Sequence, residues 1–210
     1  MVKQNKYMTM LATLLLTINT HGKTSDATGG TTASLEQPQK TVAIKSVYAC
    51  AQNYDVLYKR SDGTCYVRSG GSRSWRNNNP GCIRYGEFSR KMGAIGQAGG
   101  FAIFPCEQTG MKAICALLRT DKYSKKTIFS AISSYAPAVE NNTALYQKLV
   151  QKHTGLSGKT IVGTLTDAQL NKLAAAIRSI EGWRPGKEIC VAQNYGATKD
   201  VLAYNTSKVR

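Results

Sequence analysis

Glu181 is the carboxylate whose position most favours catalysis. It ends a predicted helix that begins with the capping-box pair Thr166 and Gln169 and stops at Gly182. Glu181 follows Ile177 by four residues, so the helical period places its side chain near the apolar face. Burial there raises the pKa of a carboxyl group, which is what a general acid needs near neutral pH. The alternative is an end-of-helix glutamate that turns outward to solvent.

Few other residues could perform catalysis. The chain has only two histidines, and His153 is the one that lies beyond the first 22 residues. Zinc hydrolases normally need at least two, so no metal or other cofactor is expected. A Ser-His-Asp triad or a Cys-His peptidase would have to use His153, which falls on a lysine-rich polar helix face. Carboxylate chemistry remains, and it indicates glycoside cleavage.

A second carboxylate is expected to assist Glu181. Glu87 is the first candidate, since it lies beside Tyr85 and Phe88 in an arginine-flanked segment. Glu140 precedes a predicted helix, where its charge would stabilise the positive N-terminus. Hydrolysis and the one-acid chemistry of lytic transglycosylases both stay open.

Consecutive asparagines before Pro-Gly, at 77–81, predict a tight turn. Asparagine side chains both donate and accept hydrogen bonds, which suits sugar hydroxyl and acetamido groups. We therefore expect Asn78, Asn79, Tyr85 and Trp183 to bind substrate, the aromatic rings offering flat faces to sugars. The alternative is that the asparagines serve their own turn and the tryptophans belong to the core.

The 210 residues fit one domain with appendages. Residues 1–22 have the pattern of a signal peptide, because two lysines precede an apolar run too short to span a bilayer. An uncleaved anchor is the alternative. Residues 23–45 are rich in Thr, Gly, Ser, Ala and Gln and predict a flexible linker. The folded domain is predicted to cover residues 46–210. No segment of the mature chain is expected to span a membrane.

Cysteine content and charge suggest an exported protein that meets an anionic polymer. Six cysteines behind a signal sequence predict disulfide bonds, with Cys50 and Cys65 as a plausible local pair across a hairpin turn. The chain has 28 Lys and Arg against 12 Asp and Glu. Such a charge suits the bacterial cell wall, anionic lipid or nucleic acid. Export argues against nucleic acid as the partner. A secreted nuclease is a further alternative, but the positive charge is the only feature that supports it.

Periodicity predicts more helix than strand. Helices are expected over 110–119, 127–135 and 143–154 and from Thr166 onward, and strands over 47–66 and 101–104. The segment after Pro185 is expected to be an irregular or extended tail. The fold class predicted is α+β, mainly helical, with a small β portion.

An ordered set of motifs over about residues 69–186 resembles a lysozyme-like family. The motifs are 76–81 (Arg-Asn-Asn-Asn-Pro-Gly), 83–85 (Ile-Arg-Tyr), 93–96 (Gly-Ala-Ile-Gly), 101–105 (Phe-Ala-Ile-Phe-Pro), 135–137 (Tyr-Ala-Pro), 140–143 (Glu-Asn-Asn-Thr) and the closing Glu181-Gly182. The family occurs in phage virion and tail proteins and in secreted cell-wall-cleaving effectors. A weaker similarity links 78–83 to the Asn-Asn-x-x-Gly-Ile segment of bacterial glucosaminidases. Cys82 departs from the family, in which asparagine usually follows Pro-Gly.

The resemblance implies a lysozyme-like domain that cleaves the MurNAc–GlcNAc linkage of peptidoglycan, with Glu181 as its general acid. We expect a periplasmic or secreted enzyme whose partners are peptidoglycan and an immunity or inhibitor protein, not nucleic acid. The alternative is a non-catalytic envelope or virion-associated module that binds glycan without cutting it.

Overall fold

The structure, a computed structural model, describes residues 43–191. The predicted signal peptide and the first twenty residues of the predicted linker lie outside the described residues, as do residues 192–210. Within the described part, no helix combines the length and apolar character needed to cross a membrane.

A four-stranded antiparallel sheet is built from both ends of the described chain. Its strands lie in the order β1 (Ser46–Gln52), β2 (Asp55–Arg60), β3 (Cys65–Ser69) and β6 (Lys187–Val191). The register pairs Leu57 with Cys50 on one side and with Val67 on the other, and Val67 pairs with Ile189. The residues that alternate with this row, among them Tyr58 and Tyr66, face a small core.

A hairpin of β4 (Gly96–Ala98) and β5 (Phe101–Ile103) closes that core. Its Ile103 is fully buried with Ala49, Val56, Tyr58 and Tyr66. The Tyr58 and Tyr66 rings stack with centroids 4.8 Å apart. Through Ile103, this core joins the sheet to β5.

Seven helices lie within residues 43–191. They are α1 (Arg73–Arg76), α2 (Glu87–Lys91), α3 (Glu107–Leu118), α4 (Asp121–Ser124), α5 (Ile128–Tyr135), α6 (Thr143–Thr154) and α7 (Asp167–Ile180), with a short 3₁₀ turn at Val162–Thr164. Side-chain caps fix several starts: Thr127 caps α5, Asn142 caps α6 and Thr166 caps α7. The Thr166–Gln169 capping box is present as the sequence predicts.

The apolar stripes of α3, α5, α6 and α7 meet in one core. Leu118, Ile132, Val150, Leu173 and Ile177 are fully buried there. The predicted helices over 110–119, 127–135, 143–154 and from Thr166 are therefore confirmed, with α3 beginning three residues earlier than expected.

The prediction of a mainly helical domain with a small β portion is wrong. Helices take up 42% and strands 21% of the described residues, so the fold is α+β with a substantial sheet. The error lies in residues 187–191, which were expected to be an irregular or extended tail. They pair with β3, more than a hundred residues away, and period-based reasoning does not detect a strand that depends on so distant a partner.

The predicted disulfide bonds are also wrong. All six cysteines, which lie within the described residues, are free. Cys50 is on β1 and Cys65 on β3, and β2 lies between these strands. Two strand spacings are roughly 10 Å, beyond the Cα separation of about 7 Å that a disulfide tolerates. The turn between the two cysteines joins β2 to β3 and leaves β1 on the far side.

Candidate active site

A cleft of about 510 Å³ opens between α1, β5, the α4–α5 region and the end of α7. Its lining includes Arg73, Gly81, Cys82, Ile83, Arg84, Phe88, Phe101, Leu117, Lys122, Tyr123, Ser134, Tyr135, Ala136, Pro137, Glu140, Asn141 and Glu181. Two carboxylates, three cations and several aromatic rings therefore line the same cleft. This is the combination of apolar surface and convergent polar groups that is typical of a ligand site.

Glu181 reaches the cleft because α7 ends there. It is the C-terminal cap of α7, and its backbone N–H donates to Ile177 O at 2.8 Å. Gly182 follows with φ +72°, a left-handed conformation that glycine adopts without strain. The turn at Gly182 leads the chain away and leaves the Glu181 carboxyl group at the cleft wall.

Two side chains donate hydrogen bonds to the Glu181 carboxylate. The Tyr146 hydroxyl, from α6, donates to Oε1 at 3.1 Å, and the Cys82 thiol is a second donor. Tyr146 is only 6% exposed. These two contacts restrict rotation of the Glu181 side chain and so fix the orientation of its carboxyl group.

The pKa of Glu181 is raised above its usual value. Burial is the main cause, because it disfavours the charged form. The hydrogen bonds from Cys82 and Tyr146 stabilise the carboxylate and lower the pKa, but they offset only part of the effect of burial. A carboxyl group in this state keeps its proton to a higher pH than a solvated glutamate and can donate it to a substrate oxygen.

Tyr135 lines the cleft close to Glu181. Its hydroxyl donates to the backbone carbonyl of Gly81. A Cβ atom at Gly81 would lie 2.6 Å from both that hydroxyl and Ile114 Cγ1, so glycine is required for this approach. Burial and then the charge of Glu181 raise the pKa of Tyr135 well above its usual value, so the phenol stays protonated.

Cys82 sits at the cleft wall but does not have the character of a nucleophile. Burial and the nearby Glu181 charge strongly raise the pKa of its thiol. A reactive cysteine needs the opposite, a lowered pKa and a neighbouring base. His153, on α6, does not line the cleft. The geometry therefore gives no support to a Cys-His peptidase.

Glu87, the expected second carboxylate, does not line the cleft. It is the first residue of α2, its side chain is 75% exposed, and it pairs with Lys91 at 2.8 Å. Glu140 lines the cleft instead, three residues before α6 begins. Among the described residues, Glu140 and Glu181 are the carboxylates that reach this wall.

The side chain of Asn79, an expected substrate-binding residue, holds its own turn together. Asn79 is fully buried. Its Nδ2 donates to the carbonyls of Ile83, at 2.8 Å, and Ala102, at 2.9 Å, and its Oδ1 accepts from the Ile83 N–H at 2.9 Å. These bonds satisfy the amide almost completely, so no group is left to bind a sugar.

Asn78 is likewise 1% exposed and lies outside the cleft lining. Its φ of +49° is in the left-handed region that asparagine tolerates better than most residues. Its Oδ1 accepts from Arg68, which also donates to Trp75 O at 2.7 Å and pairs with Glu188. The asparagine turn thus connects the sheet to the cleft and supports the residues that line it.

Tyr85 and Trp183 are half-buried and neither lines the cleft. Arg90 lies over the Tyr85 ring and Arg178 over the Trp183 ring, with guanidinium-to-centroid distances of 5.8 and 4.7 Å. Of the six residues expected from the sequence to form the site, the structure places Glu181 alone on the cleft wall.

Three residues around Glu181 were not identified as site residues from the sequence. They are Cys82, Tyr135 and Tyr146. Tyr135 lies in a motif that carries the family resemblance, and Tyr146 follows the motif at 140–143 by three residues, which was the one available signal. No local pattern indicates that Cys82 points toward a residue 99 positions later in the chain.

No protein-family model matches the chain, and no curated protein is significantly similar to it. Within residues 43–191, no group of three or more His, Cys, Asp or Glu side chains is arranged to hold a metal ion. The function is therefore inferred from the geometry of the cleft together with the motifs of the sequence.

Proposed function

We propose that the chain is an exported peptidoglycan glycan-strand hydrolase of the lysozyme type, with Glu181 as its general acid. The observation that carries the proposal is the Glu181 carboxyl group at the cleft wall, with a raised pKa and with Tyr146 and Cys82 as hydrogen-bond donors. The motif resemblance described above supplies the substrate, and the basic chain suits an anionic envelope.

In the proposed reaction, protonated Glu181 donates its proton to the oxygen of the MurNAc–GlcNAc linkage. The bond from the MurNAc anomeric carbon to that oxygen breaks, and the electron pair leaves with the oxygen. The GlcNAc hydroxyl departs, and the MurNAc ring carries the developing positive charge. Tyr146 and Cys82 stabilise the carboxylate that remains, since both can donate to it.

The cation is then captured by one of two oxygen nucleophiles. Water attack gives a reducing end and completes hydrolysis, whereas attack by the sugar's own 6-hydroxyl gives a 1,6-anhydro end. Glu140 replaces Glu87 as the candidate base for the first route, because it lines the cleft with Glu181. The carboxylate of Glu181 could accept the proton in the second route.

The test is the clearing of purified peptidoglycan sacculi by the wild type, by Glu181→Gln and by a control, Glu107→Gln. Glu107 lies outside the cleft lining and pairs with Arg178 at 2.7 Å. We expect the wild type and the control to clear the suspension. Glu181→Gln should lose at least about a hundredfold in rate, the usual contribution of a general acid.

The alternatives give different results. Equal clearing by wild type and Glu181→Gln would show that the wrong carboxylate was chosen. Binding without clearing by any of the three proteins would favour a glycan-binding module. Mass spectrometry of the fragments separates reducing ends from anhydro ends, and loss of reducing ends in Glu140→Gln would assign that residue as the base.

A further inference from the structure

The cations of the cleft are held by aromatic rings. The guanidinium groups of Arg73 and Arg84 both lie over Phe101, at 4.8 and 4.9 Å from the ring centroid. The Lys122 ammonium group lies over Tyr123, at 5.3 Å. All five residues line the cleft. Two separate aromatic rings therefore fix positive charges in the same cleft as Glu181.

These three cations keep their charge uncompensated. In the part of the chain that the structure describes, ion pairs join Arg68 to Glu188, Lys91 to Glu87, Arg119 to Asp167 and Arg178 to Glu107. None of these pairs includes a cation of the cleft wall. An aromatic ring orients a guanidinium group but leaves its N–H donors free for an anion.

The balance of charge on the wall is positive. Three cations stand against Glu140 and Glu181, and Glu181 is neutral when it is poised to donate a proton. Arg73, Arg84 and Lys122 are all exposed. A neutral sugar chain gains little from such a wall, whereas carboxylates gain charge-assisted hydrogen bonds.

We infer that Arg73, Arg84 and Lys122 bind carboxylates carried by the substrate and so make the cleft selective for muramyl glycans over neutral GlcNAc polymers. This inference rests on the proposed function. Every second sugar of peptidoglycan bears a 3-O-lactyl arm, which ends in a free carboxylate or continues into a peptide with its own carboxylates. Chitin has the same backbone linkage without this arm. The cations therefore select the charged arm.

The test measures binding without turnover, by calorimetry of full-length chains that all carry Glu181→Gln. The three ligands are chitotetraose, a peptidoglycan tetrasaccharide with its stem peptides, and the same tetrasaccharide after an amidase has removed the stems. We expect both muramyl ligands to bind more tightly than chitotetraose, and increasingly so as salt is lowered.

Variants assign this preference to the wall. Arg73→Gln with Arg84→Gln should weaken binding of the muramyl ligands about tenfold and leave chitotetraose unchanged. Lysine at both positions keeps the charge and should restore most of the affinity. Arg60→Gln is the matched control, since Arg60 also lies over an aromatic ring, Tyr66, but outside the cleft lining.

Either of two results would overturn the inference: no preference for muramyl ligands, or an equal loss for neutral and charged ligands in the double variant. Loss for one muramyl ligand alone would identify the lactyl or the peptide carboxylate as the group bound. Thermal unfolding checks that each variant is folded. Failure of the proposed function is seen separately, as wild-type chain that does not clear sacculi.

Discussion

At Glu181, burial and hydrogen bonding act in opposite directions on one carboxyl group. Burial disfavours the carboxylate, while the donors from Tyr146 and Cys82 favour it, and burial is the larger effect. A proton donor in a cleft needs this balance. It must hold a proton near neutral pH, and its conjugate base must be stabilised once the proton has gone.

The raised pKa of Glu181 predicts a pH-dependent effect of Glu181→Gln on stability. A carboxyl group whose pKa is higher in the folded state contributes most stability below its unfolded pKa, near 4.3, and loses it as pH rises through the folded pKa. Glutamine stays neutral throughout. We therefore expect the variant to be more stable than wild type at pH 8, by about 1.4 kcal/mol for each unit by which the folded pKa is raised.

Urea unfolding of both proteins at pH 3.5, 5, 6.5 and 8 measures this difference. The advantage of Glu181→Gln should grow with pH and vanish at the acid end. Constant or acid-enhanced stabilisation would contradict a raised pKa. Glu87→Gln, which removes a carboxylate whose side chain is 75% exposed, is the control for a general change in net charge.

Tyr146→Phe should shift the pH dependence of clearing. The Tyr146 hydroxyl donates to Glu181 Oε1, and this bond lowers the pKa of the carboxyl group. Without it the pKa rises further, so the alkaline fall in clearing rate should move to higher pH. Tyr66→Phe removes a hydroxyl that contacts Ser46, outside the cleft, and should leave the fall where it is. An unchanged profile in Tyr146→Phe would show that the bond does not tune the acid.

At the scale of elements, the asparagine turn was expected to contact substrate and instead supports the cleft. The side chain of Asn79 bonds to Ile83, just beyond the turn, and to Ala102, within β5. A sequence pattern can identify a turn. It cannot tell whether the amides point inward, because that depends on strands contributed from elsewhere in the chain.

Asn79→Ala should therefore reduce stability. It leaves the buried Ile83 N–H without a partner and removes one donor each from the carbonyls of Ile83 and Ala102, which keep the Ala102 N–H and Asn77 Nδ2 as donors. We expect a loss of about 1–3 kcal/mol in the free energy of unfolding. Asn171→Ala, at an exposed position on α7, should change it by less than about 0.5 kcal/mol. Urea unfolding measures both. A stable Asn79→Ala protein with weaker glycan binding would restore the sugar-binding interpretation.

The helices were predictable because their apolar stripes and capping residues lie within a short stretch of sequence. The α7 helix shows this most fully, since Thr166, Gln169 and the apolar stripe specify its start and its buried face. The position of Glu181 follows from the same period. The strand β6 has no comparable local signal: its burial is slight, and its partner β3 is distant in sequence. The sheet was therefore underestimated.

At the scale of the whole molecule, the same limit explains the cysteines. Their even number and the signal-like leader made disulfides a reasonable prediction, but the fold decides which thiols can meet. Strand order separates Cys50 from Cys65 by one strand. Cys190, on β6, lies at the edge of the sheet opposite β1. Topology, which sequence spacing does not reveal, keeps the sulfur atoms apart.

This arrangement predicts that the protein does not depend on disulfide bonds. Denatured chain, prepared without reductant, should react with a thiol reagent at six positions, because all six cysteines are free. Dithiothreitol should leave the thermal unfolding midpoint unchanged, since no cross-link restrains the unfolded chain. Fewer reactive thiols, together with a lower midpoint in reductant, would contradict the fold at the sheet. An oxidising compartment favours bonds only between thiols that can approach each other, so both results should hold for protein recovered from the periplasm as well as from the cytoplasm.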